Sequence, residues 1–237
     1  MKFQDARKIV GDTPYLSADE GWELYRHIVK TRPANCLELG HAHGVSTIYI
    51  AAALDETGQG CLDTVDLYSS IEREPNLETL LEGSNLGHTV NIHREKNSYN
   101  WFLKKKIQSQ TENDSCEPCY DFCFFDGAKN WTIDGFAFFL VDKLLRNGGW
   151  ILFDDLKWFY GKVKQRKSSD GVTLRSLSED EIREPHMELI FHSLVMQHPG
   201  YSNFLIQEGW WGWAQKNKAG SRTLKTSRRK NTAPARE

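Results

Sequence analysis

Residues 36–46 read CLELGHAHGVS: a short apolar run carrying the acid Glu38 breaks at once into a loop with Gly40 and Gly44 four apart. Glycine permits the close backbone approach that such loops need. The stretch reads as the first strand and ligand-facing loop of a doubly wound α/β fold, in which a helix opens directly behind the glycines. Two spaced glycines also make ordinary tight turns, so the reading depends on what surrounds them.

What surrounds them alternates. Upstream, Ser17 with Glu20 makes a capping box, Trp22, Tyr25, Ile28 and Val29 fall on one helical face, and Pro33 marks the stop, which gives the first expected helix. Residues 35–39 form the first strand and 46–54 an apolar helix closed by Gly58. The second strand, 61–66, ends on Asp66, 26 residues beyond Gly40. That spacing suits an acid accepting hydrogen bonds from the two hydroxyls of a ribose. Pro75 and Gly87 bracket a second crossover helix, 89–93 is the third strand, and Asn97 and Ser98 precede a helix through Trp101 and Leu103.

A polar loop over 108–118 leads into the apolar strand 120–125, which ends on Asp126. A helix over 133–145, a turn at Asn147, Gly148 and Gly149, and a fifth strand over 150–153 follow, and that strand ends on Asp154 and Asp155. Alternation of this kind demands a parallel sheet with right-handed crossovers, with ligand groups at the carboxyl ends of the strands. Beyond it, 161–177 is polar and aperiodic, a surface loop that could serve as a lid. Residues 179–196 are helical and split by Pro185, and 203–207 with 210–215, joined across Glu208 and Gly209, read as a terminal antiparallel hairpin.

The 237 residues suit one large domain, placed at 1–215. A formal charge of −2 conceals an asymmetry: 216–237 holds eight Lys or Arg against one acid, and the remainder holds 22 basic and 31 acidic residues. Such a basic run reads first as a solvated, disordered tail and second as a holder of nucleic acid or an anionic surface. The five cysteines include the pair Cys116 and Cys119, but zinc needs a second pair or spaced histidines, and Cys36, Cys61 and Cys123 sit in strands as small core residues. The odd count and the absence of a leader fit a reducing cytoplasm, and no run reaches membrane-span length. His41 and His43 read as polar loop residues rather than metal ligands. The aromatic groups Trp158, Phe159, Tyr160 and Trp210, Trp211, Trp213 read as packing, the first close enough to line a pocket.

LELGHAHGVST (37–47), FFDGAKNW (124–131) and LLRNGGWILFDDLKW (144–158), in this order and at this spacing, resemble motifs of the class I S-adenosylmethionine-dependent methyltransferases. Within that class the likeness is to the metal-dependent small-molecule O-methyltransferases of the catechol, caffeoyl-CoA and macrolide-sugar types, and it spans roughly residues 15–215. It implies a Rossmann-like, mostly parallel seven-stranded sheet with helices on both faces and a C-terminal antiparallel hairpin. It also implies S-adenosyl-L-methionine as cofactor, with Glu38 and Gly40 at its methionine part, Gly44 and Ser46 closing the loop, Asp66 on the ribose, and Asn97 and Ser98 beside the adenine.

The family's sheet order makes the fourth and fifth strands neighbours, about 4.8 Å apart, so Asp126, Asp154 and Asp155 converge. Three uncompensated carboxylates repel by several kcal/mol at a partly buried site, so one is protonated or a cation binds. Hard oxygen ligands favour Mg²⁺, with Ca²⁺ or Mn²⁺ as alternatives and substrate oxygens completing the shell. Asp155 keeps the alternative of a helix or turn cap. Lys129 stands where relatives have a lysine that assists deprotonation, either as a base once a cation lowers its pKa or as an ammonium that steadies an alkoxide. Asp126 and Lys129 are thus the expected catalytic pair.

The expectation is an O-methyltransferase acting on a hydroxyl of a small molecule, assisted by Mg²⁺. Two other classes stay open: an RNA methyltransferase using the basic tail, against which the lack of an attached RNA-binding module counts, and a non-catalytic cofactor-binding protein. A nicotinamide-dependent oxidoreductase gives the paired aspartates no task. Substrate choice falls to the N-terminal segment and to 161–177, and homo-oligomeric assembly stays open.

Overall fold

The computed structural model describes residues 1–162, 167–169, 174–207 and 210–217. Seven strands, β1 (Asn35–Leu39), β2 (Cys61–Leu67), β3 (Val90–Glu95), β4 (Tyr120–Phe125), β5 (Leu145–Phe153), β6 (Tyr201–Gln207) and β7 (Trp211–Lys216), form one sheet in the order β3-β2-β1-β4-β5-β7-β6. The pairs among β1 to β5 are parallel, and β7 runs antiparallel to both β5 and β6. The strand alternation therefore delivers the expected doubly wound sheet and terminal hairpin.

Two layers of helices cover the sheet. α1 (Phe3–Val10), α2 (Ala18–Thr31), α3 (Val45–Thr57) and α4 (Leu77–Glu82) bury Phe3, Leu24, Ile28, Ile48 and Leu80 on one face. α5 (Tyr99–Ser109), α6 (Trp131–Leu144) and, after α7 (Glu179–Arg183), α8 (His186–Ile190) bury Phe102, Phe138, Val141 and Ile190 on the other. The chain moves outward from β1 through β2 to β3, then returns to lay β4 against the opposite edge of β1. That reversal opens a crevice between the carboxyl ends of β1 and β4, where open α/β sheets bind ligands. Among the described residues no helix is long and apolar enough to cross a membrane.

Several elements differ from the sequence reading. A helix precedes the one at Ser17: α1 buries Phe3, Ala6 and Val10, a three- and four-residue spacing too short and too polar to set a period in the sequence. The crossover between Pro75 and Gly87 is not one helix. Asn76 caps α4 by accepting from the Thr79 amide, Gly83 stops it, and Gly87 opens a separate 3₁₀ turn. The turn at 147–149 lies inside β5, whose pairing with β4 jumps from Tyr120 opposite Leu145 to Phe122 opposite Trp150. The segment 161–177 contains an antiparallel pair, Lys167–Ser169 with Leu174–Ser176, and a similar small pair lies within 108–118. The helical region 179–196 is broken at Pro185, as that residue demanded, and ends in a π-helical turn, Phe191–Val195. The hairpin turn at Glu208 and Gly209, and the basic tail from residue 218 on, lie outside the described residues.

Candidate active site

The loop after β1 is shaped by one close approach. Gly40 has φ +90°, and a Cβ there would lie 2.4 Å from the Asp126 carbonyl oxygen. The end of β1 thus presses directly on the end of β4, and only glycine fits. Gly44 caps α3 with φ +101° and abuts Leu77. Beneath the loop Glu38 is fully buried and accepts three hydroxyl donors: Ser46 Oγ at 2.5 Å, Thr47 Oγ1 at 2.5 Å and Thr64 Oγ1 at 2.6 Å. Two of these belong to the first turn of α3 and the third to β2, so this carboxyl ties three elements together behind the loop. Burial pushes its pKa up to about 7 against the pull of the three hydroxyls.

Asp66, past the middle of the sheet's upper edge, accepts the His41 amide at 3.0 Å and the Ala42 amide at 2.8 Å on Oδ2. It fixes the loop while facing the crevice. His41 itself turns inward, bonded to Thr64 at 3.0 Å and Ser70 at 3.1 Å, and burial holds its pKa down at about 4. His43 bonds the Pro75 carbonyl oxygen. The rings are taken up by these partners, and among the described residues the one group placed to hold a metal contains neither histidine, so both act as loop-holding residues.

Gly40, Asp66, Asn97, Ser98 and Asp126 line one cavity of about 340 Å³, together with Ala42, Arg73, Tyr99, Gly127 and Tyr160. The structure therefore brings together four of the residues expected at a cofactor, Gly40, Asp66, Asn97 and Ser98, with Asp126, expected at the metal and in catalysis. Glu38, Gly44 and Ser46 do not line it: they stand one layer behind and brace it. Ser98 also caps α5, accepting from the Asn100 amide. A larger groove of about 910 Å³ between α5 and α6 shares Asn97 and Ser98 with this cavity but holds none of the clustered carboxylates.

The second constellation sits at the next strand ends. Carboxylate oxygens of Asp126, Asp154 and Asp155 all lie within 4.8 Å of one another. Lys129 reaches into them: its Nζ pairs with Asp126 and lies 3.2 Å from Asp155 Oδ2. The ammonium offsets part of the repulsion, a third answer beside protonation or a cation. Burial works against the charge on Lys129, but the three carboxylates overrule it and hold its pKa above the usual lysine value. Asp126 is pushed up to about 6 by burial, with Lys129 opposing, and Asp154 is driven well above its ordinary value by burial and by the Asp126 charge.

The loop that carries Lys129 is pinned from several sides. The Ala128 amide donates to Tyr99 Oη at 3.2 Å, and Tyr160 Oη donates to the Ala128 carbonyl at 3.2 Å. Tyr99 donates in turn to the buried Asp134, which accepts the Asn130 amide at 2.7 Å. The Trp131 amide donates to His186 Nδ1 at 3.1 Å, so Nε2 carries the proton and donates to the Glu181 carbonyl at 2.9 Å. Sequence reasoning missed Tyr99, Asp134 and His186. A buried acid four residues into a helix after an Asn cap was the one available signal.

Residues 37–156, just over half the chain, match the methyltransferase domain family. No curated protein matches the chain. Similar solved structures include a putative caffeoyl-CoA O-methyltransferase from Staphylococcus aureus, 17% identical with a TM-score of 0.62 over 92% of this chain and 93% of that one. An O-methyltransferase from Bacillus cereus in complex with S-adenosylhomocysteine is 18% identical with a TM-score of 0.59, over 91% and 90%. TomG from Streptomyces achromogenes, an O-methyltransferase of tomaymycin synthesis in complex with S-adenosylmethionine, is 17% identical with a TM-score of 0.59, over 90% and 86%. At these identities they share the fold. With a family match that runs from the first strand through the aspartate pair past the fifth, the chain belongs to the methyltransferase domain family, and its sheet is that of the class I S-adenosylmethionine-dependent enzymes.

Proposed function

We propose that the protein transfers the methyl group of S-adenosylmethionine to a hydroxyl of a small molecule, with a divalent cation, Mg²⁺ in the first place, at Asp126, Asp154 and Asp155. The observation that carries this reading is the double position of Asp126, which lines the switch-point cavity and also belongs to the carboxylate cluster. A cofactor in the cavity and an acceptor at the cluster would then meet across a single residue.

Within the cavity Asp66 is the group for the ribose hydroxyls, Asn97 and Ser98 border the adenine, and Arg73 offers a cation to the amino-acid carboxylate. Gly40 allows close backbone approach, while Glu38, Gly44 and Ser46 keep the loop in shape. The donor set at the cluster fits a hard cation: three carboxylates converge, and Asp154 Oδ1 is already engaged by two N–H donors, which leaves Oδ2 for the cluster. A dication bound there supplies a Lewis acid that lowers the pKa of the acceptor hydroxyl and of Lys129 alike. Lys129, which the carboxylates hold protonated while they face it alone, would first release its own proton to solvent as the cation takes over those carboxylates; its Nζ would then take the hydroxyl proton and, as an ammonium, donate back to the oxygen. That oxygen attacks the methyl carbon in line, the new C–O bond forms as the C–S bond breaks, and the sulfur keeps the electron pair. Orientation and electrostatics supply most of the acceleration.

One methyltransferase domain over 1–215, a basic tail over 216–237 and a cytoplasmic location belong to the same proposal. The test is methyl transfer to a panel of phenols, catechols and sugars, with and without thorough chelation by EDTA. Activity that disappears with EDTA and returns with Mg²⁺ supports the reading, and undiminished activity removes the cation from the mechanism.

A further inference from the structure

We infer that Trp211 is a positioning residue for the carboxylate cluster, an inference that rests on the cation-assisted reading above. Its indole Nε1–H donates to Asp154 Oδ1 at 2.8 Å, and the Asp155 backbone N–H donates to the same oxygen at 2.7 Å. Both side chains are buried. An indole nitrogen can only donate, and its rigid ring has two dihedral angles to fix, so the contact selects one rotamer of the carboxyl group. With Oδ1 taken up by two donors, Oδ2 is the oxygen left free for the cluster with Asp126 and Asp155.

The indole is itself held. Its ring meets Phe124 edge-on at 6.2 Å and Trp213 at 5.9 Å. On the backbone, Gly212 pairs with Phe153, and the Leu156 amide donates to the Trp210 carbonyl at 2.9 Å, which locks the strand on both sides of Trp211. The hairpin that the sequence reading assigned to packing therefore reaches the chemical site through one N–H. Outer partners of this kind orient ligating groups, and their loss commonly costs about 10- to 100-fold in cation affinity.

A buried indole also needs some partner for its N–H, so the contact has to be separated from plain packing. The same strand holds the control. Trp213, two residues on, gives its indole N–H to Gln207 Oε1 at 3.1 Å, away from the cluster. Trp211→Phe and Trp213→Phe each keep an aromatic ring and each lose one indole donor, but only the first donor faces Asp154.

The experiment is calorimetric titration of the full chain and both variants with MgCl₂ alone and, separately, with S-adenosylhomocysteine, alongside urea unfolding. Trp211→Phe is expected to weaken Mg²⁺ binding about 10- to 100-fold, with S-adenosylhomocysteine affinity kept, and Trp213→Phe to leave Mg²⁺ binding unchanged. Equal Mg²⁺ affinity in Trp211→Phe and parent overturns the inference, as does a loss of Mg²⁺ affinity shared by Trp213→Phe. A parent chain that binds no Mg²⁺ overturns this inference and the cation reading together, whereas parental binding matched by the variant overturns this one alone.

Discussion

Replacing Glu38 by Gln changes the pH dependence of stability in a direction opposite to the usual effect of removing a carboxylate. In the fold this side chain is fully buried under Ser46, Thr47 and Thr64, and its pKa stands at about 7 against an ordinary 4.5. A raised carboxyl pKa means that the folded state holds its proton after the unfolded chain has released it. The contribution is fully present below pH 4.5 and is lost as pH rises through 7. At about 1.4 kcal/mol per pKa unit the loss comes to about 3 kcal/mol, with little discount because the group is wholly buried. His27 and His41, both held down to about 4 by burial, bend the parent's profile the other way, since their stability is lost as pH falls. His27 cancels in the difference between variant and parent, and His41, which shares the Thr64 hydroxyl with Glu38, cancels to the extent that Gln keeps that hydroxyl in place. Gln resembles the protonated acid, so the stability of Glu38→Gln relative to the parent should climb by about 3 kcal/mol between pH 4.5 and 7.5 and then level off. Urea unfolding at a series of pH values reads this directly. A difference that stays flat, or that favours the parent at high pH, refutes the assignment of Glu38 as a buried acid on the edge of ionisation.

Two further outcomes follow from the crevice. Gly40→Ala sets a Cβ 2.4 Å from the Asp126 carbonyl at φ +90°, so it should destabilise by about 2–4 kcal/mol and weaken S-adenosylhomocysteine binding; unaltered urea midpoint and affinity would show that β1 and β4 do not meet there. Lys129→Met should lower kcat about 10²- to 10⁴-fold with the KM for S-adenosylmethionine nearly unchanged, because Lys129 faces the carboxylates and does not line the cofactor cavity. Steady-state kinetics checks the split, and a rise in that KM at constant kcat contradicts the role.

The upper edge of the sheet was legible because each strand ends on a residue with few alternative uses. Gly40, Asp66, Asp126 and Asp154 all mark strand ends, and the alternation of strands with helices fixed their common side. The resemblance then supplied the order that makes β4 and β5 neighbours. What stayed hidden depends on contacts distant in sequence. Glu38 was expected in the cavity, yet its partners Thr47 and Thr64 lie on α3 and β2 and turn it inward. Trp211 looked like one of several aromatic residues, and only the antiparallel register of β7 against β5 brings its indole to Asp154. Lys129 was foreseen beside Asp126, but not as a charge shared with Asp155, because that contact joins two loops rather than one. α1 and the broken crossover around α4 were misread for a local reason: short helices carry too few apolar positions to set a period.

The most direct test of the central claim is calorimetric titration of the full chain with S-adenosylhomocysteine and, in parallel, with NAD. Binding of the first, no binding of the second, and a loss of affinity of about tenfold or more in Asp66→Asn, which removes the charge of the cavity acid proposed for the ribose, are the predicted results. A chain that binds neither S-adenosylhomocysteine nor S-adenosylmethionine, or that prefers NAD, contradicts the account.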